Sequence, residues 1–292
     1  MIKNTPYFIH ALSPLHPGVG QGVGSVDLPV AREKATGIPY LPGSSIKGVL
    51  RDLARRKWDP AKVTAIFGPD TEHAHEHAGA AYFGDAKLLL LPVRSYKELF
   101  AYATSPFILE RFRRESELAG LSGLPSLPTP PGSITEARTT GDALVHNGRV
   151  YLEDLDFSAE SCGELKAWED WLAQRLGEEV PLAGRLLYLH DDAMGFLLET
   201  ALEVVTRIRI DESTKTVAQR ALWFEENIPT ESILYGVLAA SSPWNTSPPD
   251  DLTGAAEVLK HIEELSGHTL QFGGNATVGR GLSRMILVGV NP

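Results

Sequence analysis

The segment Gly43–Gly48, GSSIKG, combines residues that can bind a phosphate group. Ser44 is expected to cap a helix, and Lys47 follows about one turn later. The free N–H groups at a helix N-terminus carry partial positive charge, and a nearby lysine adds a full charge. The GxxxxGK[ST] pattern of a P-loop is absent. An ordinary capped helix is therefore the alternative interpretation of this segment.

A second segment, FGGNATVGRG at residues 272–281, is rich in glycine and contains one cation. Gly273 and Gly274 would let the backbone approach a ligand closely, and Arg280 stands among the glycines. A tight turn between two secondary-structure elements explains the same residues equally well. By itself the segment leaves both interpretations open.

Asp27 and His16 are the residues best placed by type for proton transfer or metal binding. Asp27 lies in a loop between Val26 and Leu28, where a carboxylate can hold Mg²⁺ through water or assist proton transfer. A solvated or turn-capping aspartate is the alternative. His16 precedes Pro17 and can reach the Asp27 loop, or it is a loop histidine without a chemical role.

Two further groups of titratable residues have less specific patterns. In HAHEHA, the side chains of His73, His75 and His77 would share one face of an extended segment, which is a possible zinc arrangement. The polar surroundings, bounded by Gly and Pro, instead favour a solvated loop. Glu225 and Glu226 follow two aromatic residues and could act as acids or metal ligands, although a solvated acidic face is favoured.

Composition and charge limit the possible functions. The 292 residues include one cysteine, which excludes an internal disulfide framework and a Cys-rich zinc site. The net charge is −10, yet residues 32–57 carry seven basic and two acidic side chains, while residues 151–180 and 223–264 are strongly acidic. A protein with this distribution can bind a polyanion on one face, although charge runs are also commonly solvated faces. The apolar runs are too short for a signal peptide or a membrane span, which predicts a soluble, cytoplasmic protein.

The elements that would position these residues follow from periodicity. Apolar residues at 46, 49, 50 and 53 predict a helix from Ser44 to near Trp58. Lys47, Arg51 and Arg55 then form a cationic stripe along another face, because each is one turn from the next. The alternation in LEVVTRIRI and the polar turn after it predict a hairpin that carries Arg207, Arg209, Lys215 and Arg220.

The remaining pattern predicts an α+β protein. Strands are expected at residues 7–12, 82–93, 148–155, 202–210, 232–240 and 282–290, and helices at 96–102, 165–176, 193–200 and 255–265. Residues 119–142, rich in Gly, Pro, Ser and Thr, are expected to form a long flexible insertion. No glycine-rich turn follows the first strand in dinucleotide-site spacing, so the pattern indicates a ferredoxin-like core rather than a Rossmann sheet.

Three segments together resemble one protein family. SPLHPGVGQGVGSVDLPVAREKATGIPYLPGSSIKGVLR is very similar to the N-terminal region of RAMP-superfamily backbone subunits of type III CRISPR effector complexes. FGGNATVGRG resembles the C-terminal glycine loop of that superfamily. ALWFEENIPTES, residues 221–232, resembles the version in the type III-B (Cmr) complex. The chain is thus identified as a member of this group of backbone subunits.

The resemblance implies a fold and a role. The fold would be a ferredoxin-like (RRM-like) RAMP palm over residues 1–292, with a variable insertion at about 95–200 and a protruding β-hairpin thumb at about 203–222. Several copies would stack in a helical filament along a guide RNA, together with the other type III-B subunits. Each thumb would wedge into the guide–target duplex, and target RNA would be cleaved at regular intervals. RNA contacts are expected from Ser44, Ser45, Lys47, Arg51, Arg55, Arg207, Arg209, Lys215, Gly273, Gly274 and Arg280.

The resemblance also implies the chemistry. Cleavage in this family leaves a cyclic phosphate, so the nucleophile is the 2′-hydroxyl of the target RNA, and Asp27 matches the family's required aspartate. Asp27 would bind Mg²⁺ or another divalent metal, or act as the base, and His16 would be its proton-transfer partner. Two alternatives stay open. One is a non-catalytic guide-binding scaffold, and the other is a guide-processing RAMP endoribonuclease acting as a monomer.

Overall fold

The computed structural model describes residues 2–22, 25–245 and 247–289. The strands are β1 (Lys3–Ala11), β2 (Tyr40–Leu41), β3 (Ala81–Phe83), β4 (Ala86–Arg94), β5 (Phe100–Thr104), β6 (Glu136–Thr139), β7 (Arg149–Leu152), β8 (Leu155–Ser161), β9 (Leu186–Leu189), β10 (Glu203–Ile210), β11 (Val217–Asn227), β12 (Ile233–Ala240), β13 (Thr269–Gln271) and β14 (Leu282–Leu287). The helices are α1 (Gly43–Lys57), α2 (Pro60–Phe67), α3 (Pro106–Leu118), α4 (Gly163–Leu176), α5 (Asp191–Thr200) and α6 (Ala255–Ser266).

Four strands and two helices form the palm. In the sheet the order is β14-β1-β12-β4, and every neighbouring pair among these strands is antiparallel. Helix α1 follows β1, and α6 follows β12. Numbered by their order in the chain, the strands lie in the order 4-1-3-2, which is the ferredoxin-like arrangement. The predicted ferredoxin-like palm in an α+β protein is therefore confirmed.

The central strand β1 is buried on both faces. Its residues from Thr5 to Ala11 are all buried, and a strand can bury consecutive residues only when layers cover both sides of the sheet. On one face Phe112 of α3 lies 5.6 Å from Phe8 and 4.9 Å from Tyr235, measured between ring centroids. Helices α1 and α6 pack on each other. They lie in the crossover connections that follow β1 and β12, and they cover the opposite face of the sheet.

The region between β4 and the hairpin extends the palm sheet instead of forming a loose insertion. From β4 the sheet continues in the order β5-β9-β6-β8-β7. The helix predicted at residues 96–102 is wrong, because this short apolar run pairs with β4 as strand β5. The flexible insertion predicted at 119–142 is also wrong: it contains β6, and the Ser126 carbonyl accepts a hydrogen bond of 2.9 Å from Trp168 Nε1.

Helix α1 begins one residue earlier than predicted, and its cap comes from a distant residue. Pro42 is the N-cap, and the Ser44 side chain makes no capping bond. Asp85 instead accepts a hydrogen bond of 2.8 Å from the Gly43 N–H. A carboxylate thus already binds the positive end of the helix dipole. The prediction of Ser44 as N-cap is wrong because the competing acceptor lies 42 residues away in the sequence.

The thumb is a separate two-stranded sheet made of β10 and β11. It spans Glu203–Asn227 and so runs past the predicted end at residue 222. The predicted hairpin is otherwise confirmed, with a bulge between Ile208 and Ile210. The sequence predicts that Arg220 lies on the hairpin, but its side chain is outside the described part of the structure. Val290, the predicted end of the last strand, is also outside it. Among the helices of the described residues, none combines the length and hydropathy of a bilayer span.

Candidate active site at the base of the thumb

The loop between β1 and β2 wraps around the base of β11. Leu15 and Ile228 exchange two backbone hydrogen bonds of 2.9 and 2.8 Å. Further along the loop, Leu28 donates to the Phe224 carbonyl and accepts from the Glu226 N–H, both at 3.0 Å. Two pieces of a Gly- and Pro-rich loop are thereby fixed against one strand of the thumb. Sequence patterns predict the loop but not this attachment.

Asp27 is held beside the thumb with its carboxylate facing solvent. Its Oδ2 accepts a hydrogen bond of 2.8 Å from the Phe224 N–H, and the residue is exposed. It lines an open groove of about 410 Å³ together with Gln21, Gly22, Leu28, Leu222 and Trp223. The contact fixes one carboxylate oxygen and leaves lone pairs of the group available to a ligand. Asp27 therefore combines a fixed position with access from solvent.

His16 is anchored to the same strand but is buried. Its Nδ1 lies 2.7 Å from the Glu226 carbonyl oxygen, and only 5% of the residue is exposed. Because a carbonyl can only accept, Nδ1 carries a proton and Nε2 is the acceptor nitrogen of the neutral ring. Phe224 and Glu226 are two residues apart on β11, so the two anchoring residues are about 7 Å apart along the strand. The structure thus brings the anchors of Asp27 and His16 together.

Glu225, between those two anchor points, binds both the neighbouring strand β10 and the glycine loop. Its carboxylate accepts from Arg207 of the thumb at 3.4 Å, and from Asn275 and Arg280 of the glycine loop at 2.9 and 3.2 Å. The residue is 2% exposed. Burial would raise the pKa of Glu225, but the hydrogen bonds from Arg207, Arg280 and Asn227 outweigh it and hold the pKa below its usual range. Arg207 and Arg280, both predicted RNA-binding residues, are thus ion-paired here.

Glu226 is buried on the opposite side of the strand from Glu225. Its carboxylate accepts from Arg32 at 2.7 Å and from the Val30 N–H at 3.0 Å. The solvated acidic face predicted for Glu225 and Glu226 is therefore wrong. Sequence patterns could not reveal this, because the arginines that neutralise the two acids come from distant segments. Both carboxylates are occupied by protein donors.

The glycine loop contacts the backbone of His16. Gly273 has a φ of +76°, and a Cβ built there would lie 2.5 Å from the His16 carbonyl oxygen. The Gly274 N–H donates to the same oxygen at 2.9 Å. The two glycines predicted to approach RNA are thus already in close contact with the protein itself. They position the His16 segment, a role that the sequence pattern does not indicate.

We expect Gly273→Ala to destabilise the protein by about 2 kcal/mol, because a left-handed alanine is strained and its Cβ would strike the His16 carbonyl. Gly279→Ala is the matched control. Gly279 also has a positive φ, of +82°, but a Cβ there meets nothing within 4 Å. Urea unfolding of both variants separates the steric clash from the backbone strain. Equal decreases in stability would contradict the clash.

The other predicted RNA-binding residues lie on two different surfaces. Lys47 and Arg51 line a groove beside α1, and Arg55 pairs with Asp52 at 3.4 Å. The predicted helical stripe is thus present. Ser44 is exposed, whereas the Ser45 N–H donates to the Pro42 carbonyl. On the thumb, Arg209 and Lys215 are exposed.

The residues near Asp27 fit a cation only if RNA supplies the remaining ligands. Among the residues that the structure describes, no three His, Cys, Asp or Glu side chains are grouped to hold a metal ion. Asp27 is a single carboxylate, and Glu225 and Glu226 are occupied. Magnesium is commonly held by one or two carboxylates plus substrate phosphates and water. Asp27 fits that donor set, whereas the described residues around it provide too few ligands for a metal site made of protein alone.

Comparisons with known proteins agree with this architecture. The model of the RAMP superfamily matches residues 8–284. The protein named CRISPR system Cmr endoribonuclease Cmr4 from Pyrococcus furiosus is 38% identical over 285 residues, covering 96% of this chain and 94% of that protein. The crystal structure of oligomeric Cmr4 from Pyrococcus furiosus superposes with a TM-score of 0.76 and 30% identity, covering 99% of both chains.

A more distant structure agrees in fold alone. The type III-B Cmr-beta complex bound to cognate target RNA contains a chain that matches with a TM-score of 0.72 and 22% identity, over 97% of this chain and 96% of that one. The family model and the 38% identity both extend over nearly the whole chain. This chain therefore belongs to the RAMP superfamily and, within it, to the family of Cmr4 proteins.

Proposed function

We propose that this protein is a repeated backbone subunit of a type III-B CRISPR ribonucleoprotein, which binds guide RNA and cleaves complementary target RNA at regular intervals. The observation that carries the proposal is the joint anchoring of Asp27 and His16 on β11. This arrangement places a solvent-facing carboxylate and an imidazole at the base of a protruding hairpin. The acting complex would be cytoplasmic, where transcripts are available.

The proposed reaction uses the target's own 2′-hydroxyl. Its oxygen attacks the adjacent phosphorus while the bond from phosphorus to the 5′-oxygen breaks, which leaves a cyclic phosphate and a 5′-hydroxyl. One proton must leave the 2′-oxygen, and one must reach the 5′-oxygen. Asp27 supplies the negative charge beside the reacting groups, and His16 Nε2 is the acceptor nitrogen that can take up and return a proton.

A divalent cation such as Mg²⁺ would neutralise the charge that develops on the phosphate during the reaction. Asp27 would hold it jointly with RNA phosphate oxygens. The fixed hydrogen bond from the Phe224 N–H keeps the Asp27 carboxylate in place for this role. Asp27 would thus fix the position of the cation relative to its other ligands. The RNA strand would enter through the open groove that Asp27 lines.

The thumb has the surface expected of a wedge between base pairs. Val204, Ile208 and Leu222 are apolar yet about half exposed. An apolar side chain that reaches into a duplex unstacks neighbouring bases and splays the strand. Such splaying brings a 2′-oxygen into line with the adjacent phosphorus, which cleavage requires. Copies stacked along one guide would repeat this event at equal intervals.

The proposal is tested by cleavage of an end-labelled complementary RNA by the complex reconstituted with guide RNA. We expect regularly spaced products with cyclic phosphate ends in Mg²⁺, and none in EDTA. Cleavage that continues unchanged in EDTA would contradict the metal role and leave Asp27 as a base. Cleavage at irregular positions would contradict the filament of repeated subunits.

Replacement of Lys47 and Arg51 by alanine is expected to weaken guide binding in a salt-dependent way. Removing one phosphate-binding cation should reduce the slope of log affinity against log salt by about 0.7 for single-stranded RNA. Arg113→Ala is the control, because Arg113 lies on α3 and pairs with Glu117 at 2.9 Å. Filter binding at several salt concentrations gives the slopes. Identical slopes for all variants would exclude phosphate binding at α1.

A further inference from the structure

A second groove lies beside α1, apart from the residues that line the Asp27 groove, and the proposed reaction does not use it. It has a volume of about 300 Å³, and we call it the α1 groove. Its charged and aromatic lining comes from Lys47 and Arg51 of α1, Phe67 of α2, His77 in the loop after α2, and Tyr82 of β3.

The cations of the α1 groove form no salt bridge among the described residues, although the charges of Asp52 and Asp70 act on Arg51. Lys47 and Arg51 are one helical turn apart, and neither takes part in an ion pair among the described residues. Arg51 Nε is buried and has no hydrogen-bond partner in that part of the chain. The nearby Asp70 is bound to His73 at 2.8 Å. Burial, and next the charge of Arg51, lower the pKa of Lys47. A bound anion would offset both effects, because it stabilises the charged form of Lys47.

Tyr82, which lines the groove, is hydrogen-bonded to a second aromatic residue, Trp244, which lies next to it outside the lining. Trp244 Nε1 donates to the Tyr82 hydroxyl at 3.0 Å, and that hydroxyl lies 3.3 Å from Ser241 Oγ. Trp244 is 60% exposed and Tyr82 is 39% exposed. Single exposed aromatic residues need no explanation, but here Tyr82 shares a groove with two cations that form no ion pair among the described residues, and it is fixed to a second exposed ring. This combination of aromatic rings and positive charge suits a nucleotide.

The histidine loop forms part of the wall of the α1 groove. A Cβ on Gly79 would lie 2.6 Å from the Phe67 carbonyl carbon, so the two ends of the loop are in backbone contact. The closed loop places Ala74 and His77 in the groove lining. His77 Nδ1 lies 3.0 Å from the Ala78 carbonyl oxygen, which orients the ring. The loop is thus closed by its own backbone and contributes His77 to the groove.

We infer that the α1 groove binds one nucleotide of the guide strand, with a phosphate at Lys47 and Arg51 and a base against Tyr82 and Trp244. The inference rests on the proposed function. Stacking accepts any base, because every base presents a π-face, and a guide strand has a different sequence for each target. The paired aromatic residues and the closed histidine loop therefore extend the RNA contact beyond the cationic stripe.

The test uses the full chain and a fluorescently labelled guide RNA. We expect Tyr82→Leu and Trp244→Leu each to weaken binding about tenfold, the effect typical of removing one stacked base. Tyr96→Leu is the matched control, because Tyr96 is an exposed tyrosine that lines a different groove. Photocrosslinking of 4-thiouridine-substituted guide to the wild type, mapped by mass spectrometry, should identify Tyr82 or Trp244. It decides the question even where a variant fails to fold.

The outcomes separate this inference from the proposed function. If the wild type binds guide RNA but both variants bind equally well and no crosslink maps to the groove, only the inference is overturned. If the wild type binds no guide RNA, the proposed function fails and the inference fails with it. Uridine monophosphate and inorganic phosphate serve as competitors. Displacement of the guide from the groove by either at the affinity of the oligonucleotide would show a free-nucleotide or phosphate site and overturn the guide assignment.

Discussion

Asp27→Ala should reduce target RNA cleavage by about 10²- to 10³-fold, the range for removal of one group that stabilises charge in the transition state, while target binding stays unchanged. Asp27 is exposed and lies outside the cationic stripe of α1, so the main RNA contacts remain. The measurement is single-turnover cleavage by the reconstituted complex, with binding followed in parallel. Unchanged cleavage with RNA still bound would make this protein a scaffold, and the nuclease would belong to another chain.

Asp27→Asn separates the chemistry of this residue from its role in the loop. The asparagine oxygen can still accept from the Phe224 N–H, which now bonds to Asp27 Oδ2 at 2.8 Å. The variant therefore keeps the loop attached but lacks the negative charge. We expect it to be as inactive as Asp27→Ala. Wild-type activity in Asp27→Asn would mean that the residue only fixes the loop.

Glu225→Ala should have the largest effect on stability, a decrease of about 3 kcal/mol. The substitution leaves Arg207 and Arg280 without their shared carboxylate and separates the thumb from the glycine loop. Urea unfolding measures the decrease, and hydrogen exchange in β10 and β11 should increase. Glu117→Ala is the control, because it removes an exposed helical ion pair worth less than about 0.5 kcal/mol. A Glu225→Ala protein as stable as the control would contradict the role of Glu225 in joining the thumb to the glycine loop.

The ionisation of Glu225 should make the stability of the protein depend on pH. The pKa of Glu225 is lower in the folded protein than its ordinary value of 4.5, so its stabilising contribution is complete above pH 4.5. It is lost as the pH falls from there through the folded-state pKa. Glu225→Gln, which cannot titrate, should therefore lose less stability than the wild type on acidification over that range. Parallel acid titrations of the two proteins would contradict this assignment.

Local sequence patterns determined the palm and the thumb. The period of apolar residues placed α1 and its cationic stripe, because a helix face repeats every three or four residues. Alternation and a polar turn placed the thumb hairpin. The Gly- and Pro-rich loop around Asp27, the glycine loop at Gly273 and the family resemblance were also evident. Each of these features depends on residues that are close together in the sequence, so the sequence of one chain is enough to predict it.

Only the tertiary structure decided which charged groups meet. The sequence favours a solvated acid at Glu225, but this residue is buried because Arg207 lies across the hairpin and Arg280 lies 55 residues further along the chain. The sequence also predicts Ser44 as the helix cap, but Asp85 provides the capping bond from the loop between β3 and β4.

His16 and Asp27 are 11 residues apart in a loop without periodicity. They come together because separate hydrogen bonds attach each of them to β11. Contacts between distant segments depend on the packed fold, so local sequence propensity cannot predict them.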